Sequence, residues 1–460
     1  MGSKKNAWLK FDDTKKEEIF SFCEGYKKYI SDCKTERESI KGAISLAEAK
    51  GYRDLKNVIS TGESLKAGDK VYYNNMDKSL ALFLIGSESI ESGMRIIGSH
   101  VDSPRLDLKP NPLYEDSELS LMETHYYGGV KKYQWVTIPL ALHGVVVKKD
   151  GTKIDVVVGE EETDPVVMVS DLLIHLASEQ QQKKATEVIA GEDLNILVGS
   201  MPLEGEEKEA VKANILKLLK EKYDFEEEDF MSAEIEIVPA GKARDLGLDR
   251  SMVAGYGHDD RICAYTSLLA LLETESTKKT SVVLLVDKEE VGSIGATGMQ
   301  SRFFENAVAE LMDRVGEYSE LKLRRALANS KMLSSDVTAA FDPNYAGAYE
   351  KKNSAFFGKG LAFAKYTGAR GKSGCNDANA EFVAWLRNVM DENDVAYQMA
   401  ELGKVDQGGG GTIAYILAEY GMEVIDCGVA LQNMHAPWEV ASKVDIYETM
   451  RGYKAFLMAE

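Results

Sequence analysis

Ser281-Val-Val-Leu-Leu-Val-Asp-Lys-Glu-Glu-Val-Gly-Ser293 is the stretch that decides the fold. Its first part, Ser281–Val286, is a β-branched and leucine run without polar alternation, the pattern of a strand covered on both faces. It then turns abruptly into Asp287-Lys288-Glu289-Glu290. A strand covered on both faces belongs to a sheet with helices on each side. Such sheets collect ligands beyond the carboxyl ends of their strands.

Working outward, the same grammar recurs. Upstream, Ile262, Tyr265, Leu268, Leu269 and Leu272 predict a helix that begins at His258-Asp259-Asp260. Further upstream, Leu80–Ile85 and Met94–Gly98 read as buried strands, the second running into His100-Val101-Asp102. Downstream, a helical stretch over Asn306–Ala328 precedes Lys331–Ser335, which runs into Asp336. The strand-like run Val424–Ala430 leads out to Met434-His435. At the start, Ile19, Cys23, Tyr26 and Ile30 recur at helical spacing, and Thr35 with Glu38 predicts a capping box for a second helix.

Between about Ser103 and Tyr256 the texture changes. Val145–Val147 and Ile154–Val158 flank Asp150-Gly151 and predict a hairpin. Ala210–Leu219 predicts an amphipathic helix, and Ala233–Val238 alternates like a strand with one exposed face. The expected architecture is α/β: a mostly parallel-centred sheet flanked by helices, formed by residues 1–102 and 257–460, with an inserted β-rich domain over 103–256.

Composition removes several function classes. The chain has 460 residues, with 55 Lys and Arg against 75 Asp and Glu, a formal charge of −20. That excess of anions excludes a phosphate-neutralising role on nucleic acid and disfavours an anionic membrane surface. A 44% hydrophobic share excludes a disordered chain. No run approaches the roughly 18 apolar residues of a membrane helix, and Met1–Asp13 has no apolar core of a secretory signal. Five scattered cysteines without a Cys-x-x-Cys pair fit a reducing compartment, so a cytoplasmic protein is expected.

Five separate element ends thus carry His100, Asp259, Glu290, Asp336 and His435. Imidazole and carboxylate suit a divalent first-row metal, Zn²⁺ above all, with Co²⁺ or Mn²⁺ also able to occupy an oxygen-rich set. Two histidines and three carboxylates suit two ions if one carboxylate bridges. Each signal alone has a bland reading: an Asp-Asp pair before a helix is usually a cap, and a Glu-Glu pair is usually solvated. Their common position at the ligand crevice of an α/β sheet changes the balance.

Gly98-Ser-His-Val-Asp-Ser-Pro104, Asp259-Asp260, Asp287-Lys-Glu-Glu-Val-Gly-Ser293, Ser335-Asp336 and Asn433-Met-His435 resemble, in order and spacing, the M18 family of aminopeptidases. The resemblance implies a zinc exopeptidase fold and two Zn²⁺ per subunit. It gives His100 to one ion, His435 to the other, Asp259 as the bridge, and Glu290 and Asp336 to the separate shells. Glu289 is then the unligated general base, and Asp102 orients His100. Hydrolysis would proceed by attack of a metal-bound hydroxide on the first peptide bond, since paired metals acidify water and clamp the developing charge. Short peptides would be the substrates.

The resemblance also puts the loop containing Gly410, with Thr412, on the wall of the substrate pocket. His175 would reach a neighbouring subunit's active site in a homo-oligomer, with dimers assembling to a tetrahedral dodecamer. Lys365, near Arg370 and Lys372, is a candidate cation for an acidic first residue, although neutral residues such as Leu remain open. Two rivals stand beside this reading: a metal-dependent deacylase or carboxypeptidase with the same constellation, and a non-catalytic, metal-stabilised assembly.

Overall fold

The computed structural model describes residues 5–368 and 370–460, which divide into two compact units. The first comprises the residues up to Asp102, Ala243–Met434 and Glu439–Glu460; the second comprises Ser103–Lys242 and His435–Trp438. The protein is a mixed α/β structure with several sheets.

The first unit is organised by a nine-stranded sheet. At its centre Ser281–Val286, Arg95–His100, Lys331–Ser335 and Glu423–Gly428 lie side by side and parallel, with Ser79–Leu84 antiparallel on the flank. Side-chain parity explains why these segments read as continuous apolar runs. Leu80, Leu82, Leu84, Ile97, Val283, Leu285, Leu333 and Ile425 face one hydrophobic core. Their neighbours Ala81, Phe83, Ile96, Val282, Leu284, Met332 and Val424 face another. Helices His258–Leu272 and Lys443–Met458 supply apolar residues to the first core, and Phe303–Val315 and Glu320–Ala328 to the second. Burying both faces of every central strand is the main source of cohesion.

Thr35 and Glu38 form the expected capping box at the start of Glu36–Glu48. The single helical stretch expected over 306–328 is instead two helices. Gly316, at φ +82°, ends the first and Ser319 caps the second. A residue without Cβ can turn left-handed at the helix end at no steric cost, so the chain stops there.

Register fixes where the central strands end. Val286 pairs with His100, Ser334 with Gly98, and Ser335 with Cys427. The residues that follow therefore leave the sheet at one edge. A smaller five-stranded sheet in the same unit includes Met252–Gly255, Glu439–Ser442, Ala430–Gln432 and Thr338–Ala339.

The second unit is built on a seven-stranded antiparallel sheet with the helix Ala210–Tyr223. Leu140–Val147 and Lys153–Val158 form the expected hairpin. Ala233–Pro239 is not the exposed-face strand its alternation suggests. It lies between two partners, and from Ile235 onward every residue is buried, Glu236 included.

Candidate metal centre

Sheet register brings the predicted residues of the first unit together. His100 is the last residue of its strand and only 2% exposed. Its Nδ1 lies 3.0 Å from Asp102 O and 3.3 Å from Asp102 Oδ1, so a proton on Nδ1 has acceptors. That leaves the Nε2 lone pair facing the cluster, 3.1 Å from Asp259 Oδ1 and 3.9 Å from both Glu289 Oε2 and Asp336 Oδ1. Two triads here can close on an ion: His100 with Asp260 and Asp336, and His100 with Glu289 and Glu290, the ligand atoms of each within 4.8 Å of one another.

Asp102 does more than meet the imidazole. Its Oδ1 accepts the Glu289 N–H and its Oδ2 the Glu290 N–H, both at 3.2 Å. The Glu-Glu pair, which in isolation reads as solvated surface, is thereby turned toward the strand ends. Asp259 and Asp260 likewise escape the bland reading. Both have non-helical backbone angles, and neither caps the helix they begin. Asp260 Oδ2 instead accepts the His100 N–H at 3.3 Å.

The electrostatics match a cation-binding set. Burial, then the charge of Asp260, holds the Asp336 carboxyl well above its usual range, against the pull of His100. Burial does the same to Asp260. Burial would lower His100, but its hydrogen bonds to Asp102 and Asp259 raise it well above an ordinary imidazole. Carboxyls crowded out of water resist ionisation unless a positive charge joins them. A dication among these oxygens and the imidazole nitrogen supplies that charge, so the donors fit zinc.

The remaining predicted positions are held by local contacts within their own units. His435 belongs to the second unit, where its Nδ1 lies 2.9 Å from Gly129 O. His175 is exposed in that unit, within Ile174–Leu176. In the first unit Gly410 N–H donates to Thr367 O at 3.0 Å, and the Thr412 hydroxyl donates to Asp426 Oδ1 at 2.6 Å. Lys365 Nζ is 3.7 Å from Asp377, which also pairs with Lys372 at 2.8 Å. His258 is fully buried, 2.5 Å from the Tyr26 hydroxyl through Nδ1, and burial pushes it down to about 3.

Three buried charged neighbours of the cluster carry too little signal to be assigned from sequence. Asp260 was visible only as half of a capping pair. Arg261 is a fully buried cation whose Nη1 donates to Lys34 O at 3.0 Å and Nη2 to Tyr256 O at 3.3 Å. An arginine interrupting an apolar helix pattern was its one hint. Glu439, a carboxylate on a buried strand, accepts the Asp259 N–H through Oε2 at 3.1 Å.

Comparison with known proteins agrees with this geometry. The family model for aminopeptidase I zinc metalloproteases (M18) matches residues 29–457. A probable M18 family aminopeptidase 1 of Clostridium acetobutylicum is 66% identical over 454 residues, spanning 98% of each chain. The crystal structure of an M18 aminopeptidase from Thermotoga maritima superposes with a TM-score of 0.94 at 45% identity, over 99% of each chain. The yeast mApe1 dodecamer, at 20% identity and a TM-score of 0.77 over 95% of this chain and 96% of that one, shares the fold. With a family match across almost its whole length and a zinc-compatible donor cluster at its strand ends, the chain belongs to the M18 peptidases and is a metallo-aminopeptidase.

Proposed function

We propose that the protein removes the first residue from short peptides at a site holding two Zn²⁺ ions. The observation that carries this reading is the convergence of His100, Glu289, Glu290 and Asp336 at in-register strand ends with Asp259 from the start of a helix. His100 and Asp336, with Glu290 and His435, would hold the ions, and Asp259 would bridge them. His435 would coordinate through Nε2, since its Nδ1 meets Gly129 O. Zinc, when bound, polarises the scissile carbonyl and acidifies water.

The chain's own residues then handle the proton. Glu289 takes it from the attacking water and delivers it to the leaving nitrogen. Asp102, accepting the amides of both glutamates, keeps Glu289 aimed at this task while Glu290 serves a metal. The pocket wall would include Gly410 and Thr412. Asp377 faces both Lys365 and Lys372, which reduces the positive charge available to a substrate and favours neutral first residues such as Leu over acidic ones.

A homo-oligomer is proposed as well. In the second unit Leu172, Leu173, Ile174 and Leu176 are each about half exposed or more, from 46% to 64%. A contiguous apolar run of that kind marks an association surface. The fold-sharing yeast protein is a dodecamer, and the same assembly is proposed here, with His175 presented at the subunit contact.

A panel of fluorogenic aminoacyl substrates with Asp, Glu, Leu or Lys in first position, run with and without chelator, tests this reading. Chelator-sensitive cleavage with Leu preferred supports it. Cleavage of N-acetylated peptides in preference to free ones would establish a deacylase or carboxypeptidase instead.

A further inference from the structure

Three of the residues proposed as zinc ligands, His100, Asp259 and Glu290, share a construction with the proposed base Glu289: their backbone amides are held by other carboxylates, whereas the Asp336 N–H donates to Cys427 O. The His100 N–H donates to Asp260, and the Glu289 and Glu290 N–H groups donate to Asp102. The Asp259 N–H donates to Glu439 Oε2 at 3.1 Å, across 180 residues of sequence. Glu439 opens the strand Glu439–Ser442 and is 1% exposed. Its ladder partner is Gly255, a few residues before the turn into the Asp259 helix.

That turn is gripped from other directions too. Tyr26 meets the ring of His258, and Arg261 donates to Tyr256 O. None of these contacts reaches the Asp259 amide, which leads into the side chain that must point at the metals. A carboxylate buried on a strand is costly for stability, and an apolar residue would fill the same place more cheaply. A charged acceptor does, however, make a shorter and stronger bond to an amide than a neutral one. A strand also holds that acceptor more rigidly than a loop would.

We propose that Glu439 is a positioning residue of the metal centre: its carboxylate fixes the Asp259 amide and so sets the direction of the Asp259 carboxylate. This rests on the reading of Asp259 as a zinc ligand. Glu439 touches neither substrate nor reacting atoms in this account. Its effect on catalysis runs through Asp259.

The test compares wild type, Glu439→Ala and Glu439→Gln in the full-length protein. Zinc affinity is measured by chelator competition, melting of the metal-stripped forms reports folding, and amide hydrogen exchange of residues 257–262 is followed without metal. The expected result is zinc binding weakened about 10–100-fold in Glu439→Ala, with faster exchange across the turn. Glu439→Gln, whose side-chain oxygen still accepts, should recover most of both. Glu439→Ala with wild-type zinc affinity and exchange would overturn the proposal. So would a Glu439→Gln variant as impaired as Glu439→Ala. If wild type binds no zinc, the ligand reading itself fails, and the metal-free exchange still decides whether Glu439 holds the turn.

Discussion

Glu289 and Glu290 are adjacent in the chain, share one acceptor in Asp102, and are assigned different work. That division predicts the behaviour of single substitutions. Glu289→Gln keeps shape and hydrogen-bonding capacity but cannot take a proton. Its turnover should fall about 10²–10⁴-fold with zinc content unchanged, measured by steady-state kinetics beside elemental analysis. Near-normal turnover would remove Glu289 as the base. Asp102→Asn is a subtler lesion. Both Asp102 carboxylate oxygens accept amides, and an asparagine offers only one oxygen. One glutamate amide then loses its acceptor, and zinc affinity should drop about 10–100-fold, read by chelator competition.

Elements place these residues through register. Gly428, ending the strand Glu423–Gly428, packs so closely on the strand beside it that a Cβ would meet Asp336 O at 2.0 Å. Gly428→Ala should therefore displace Asp336 and weaken zinc binding while also lowering the melting temperature, whereas a merely destabilised protein would keep its affinity once folded. The helix Lys443–Met458 gives a prediction in pH. Asp445, fully buried, accepts the N–H groups of Gly358 and Gly360 at 2.7 Å each, and burial pushes its carboxyl up from 3.8 to about 7. A carboxyl raised on folding favours the native state when protonated. Its contribution is thus complete below about pH 4 and lost as pH rises through about 7. Melting temperatures should decline across that window, and Asp445→Asn should flatten the decline. The strands were legible because both faces are buried, which leaves an apolar run, and His100, Glu289, Glu290 and Asp336 stood out as candidates because they end or follow such runs. Glu439 and Asp260 were not, because their roles depend on pairings between distant segments. The break at Gly316 was hidden because apolar periodicity resumes in the next helix.

At the scale of the whole molecule, charge and surface decide behaviour. No helix among the described residues is long and apolar enough to cross a membrane. The exposed run Leu172–Leu176 is the feature that calls for a partner. Ile174→Lys alters a side chain that is 64% exposed, so the subunit should fold normally while the assembly mass, by light scattering, falls. An unchanged mass would move the association surface elsewhere. The order of the cluster along the chain has a consequence for biosynthesis. His100 leaves the ribosome first and Glu439 last, an interval of roughly 20–70 s at ordinary translation speeds. Throughout it the growing polypeptide displays its leading histidine motif but not the last strand of the centre. Until Glu439 has emerged, the Asp259 amide lacks the acceptor that the finished fold gives it, so the proposed centre is completed only near the end of synthesis.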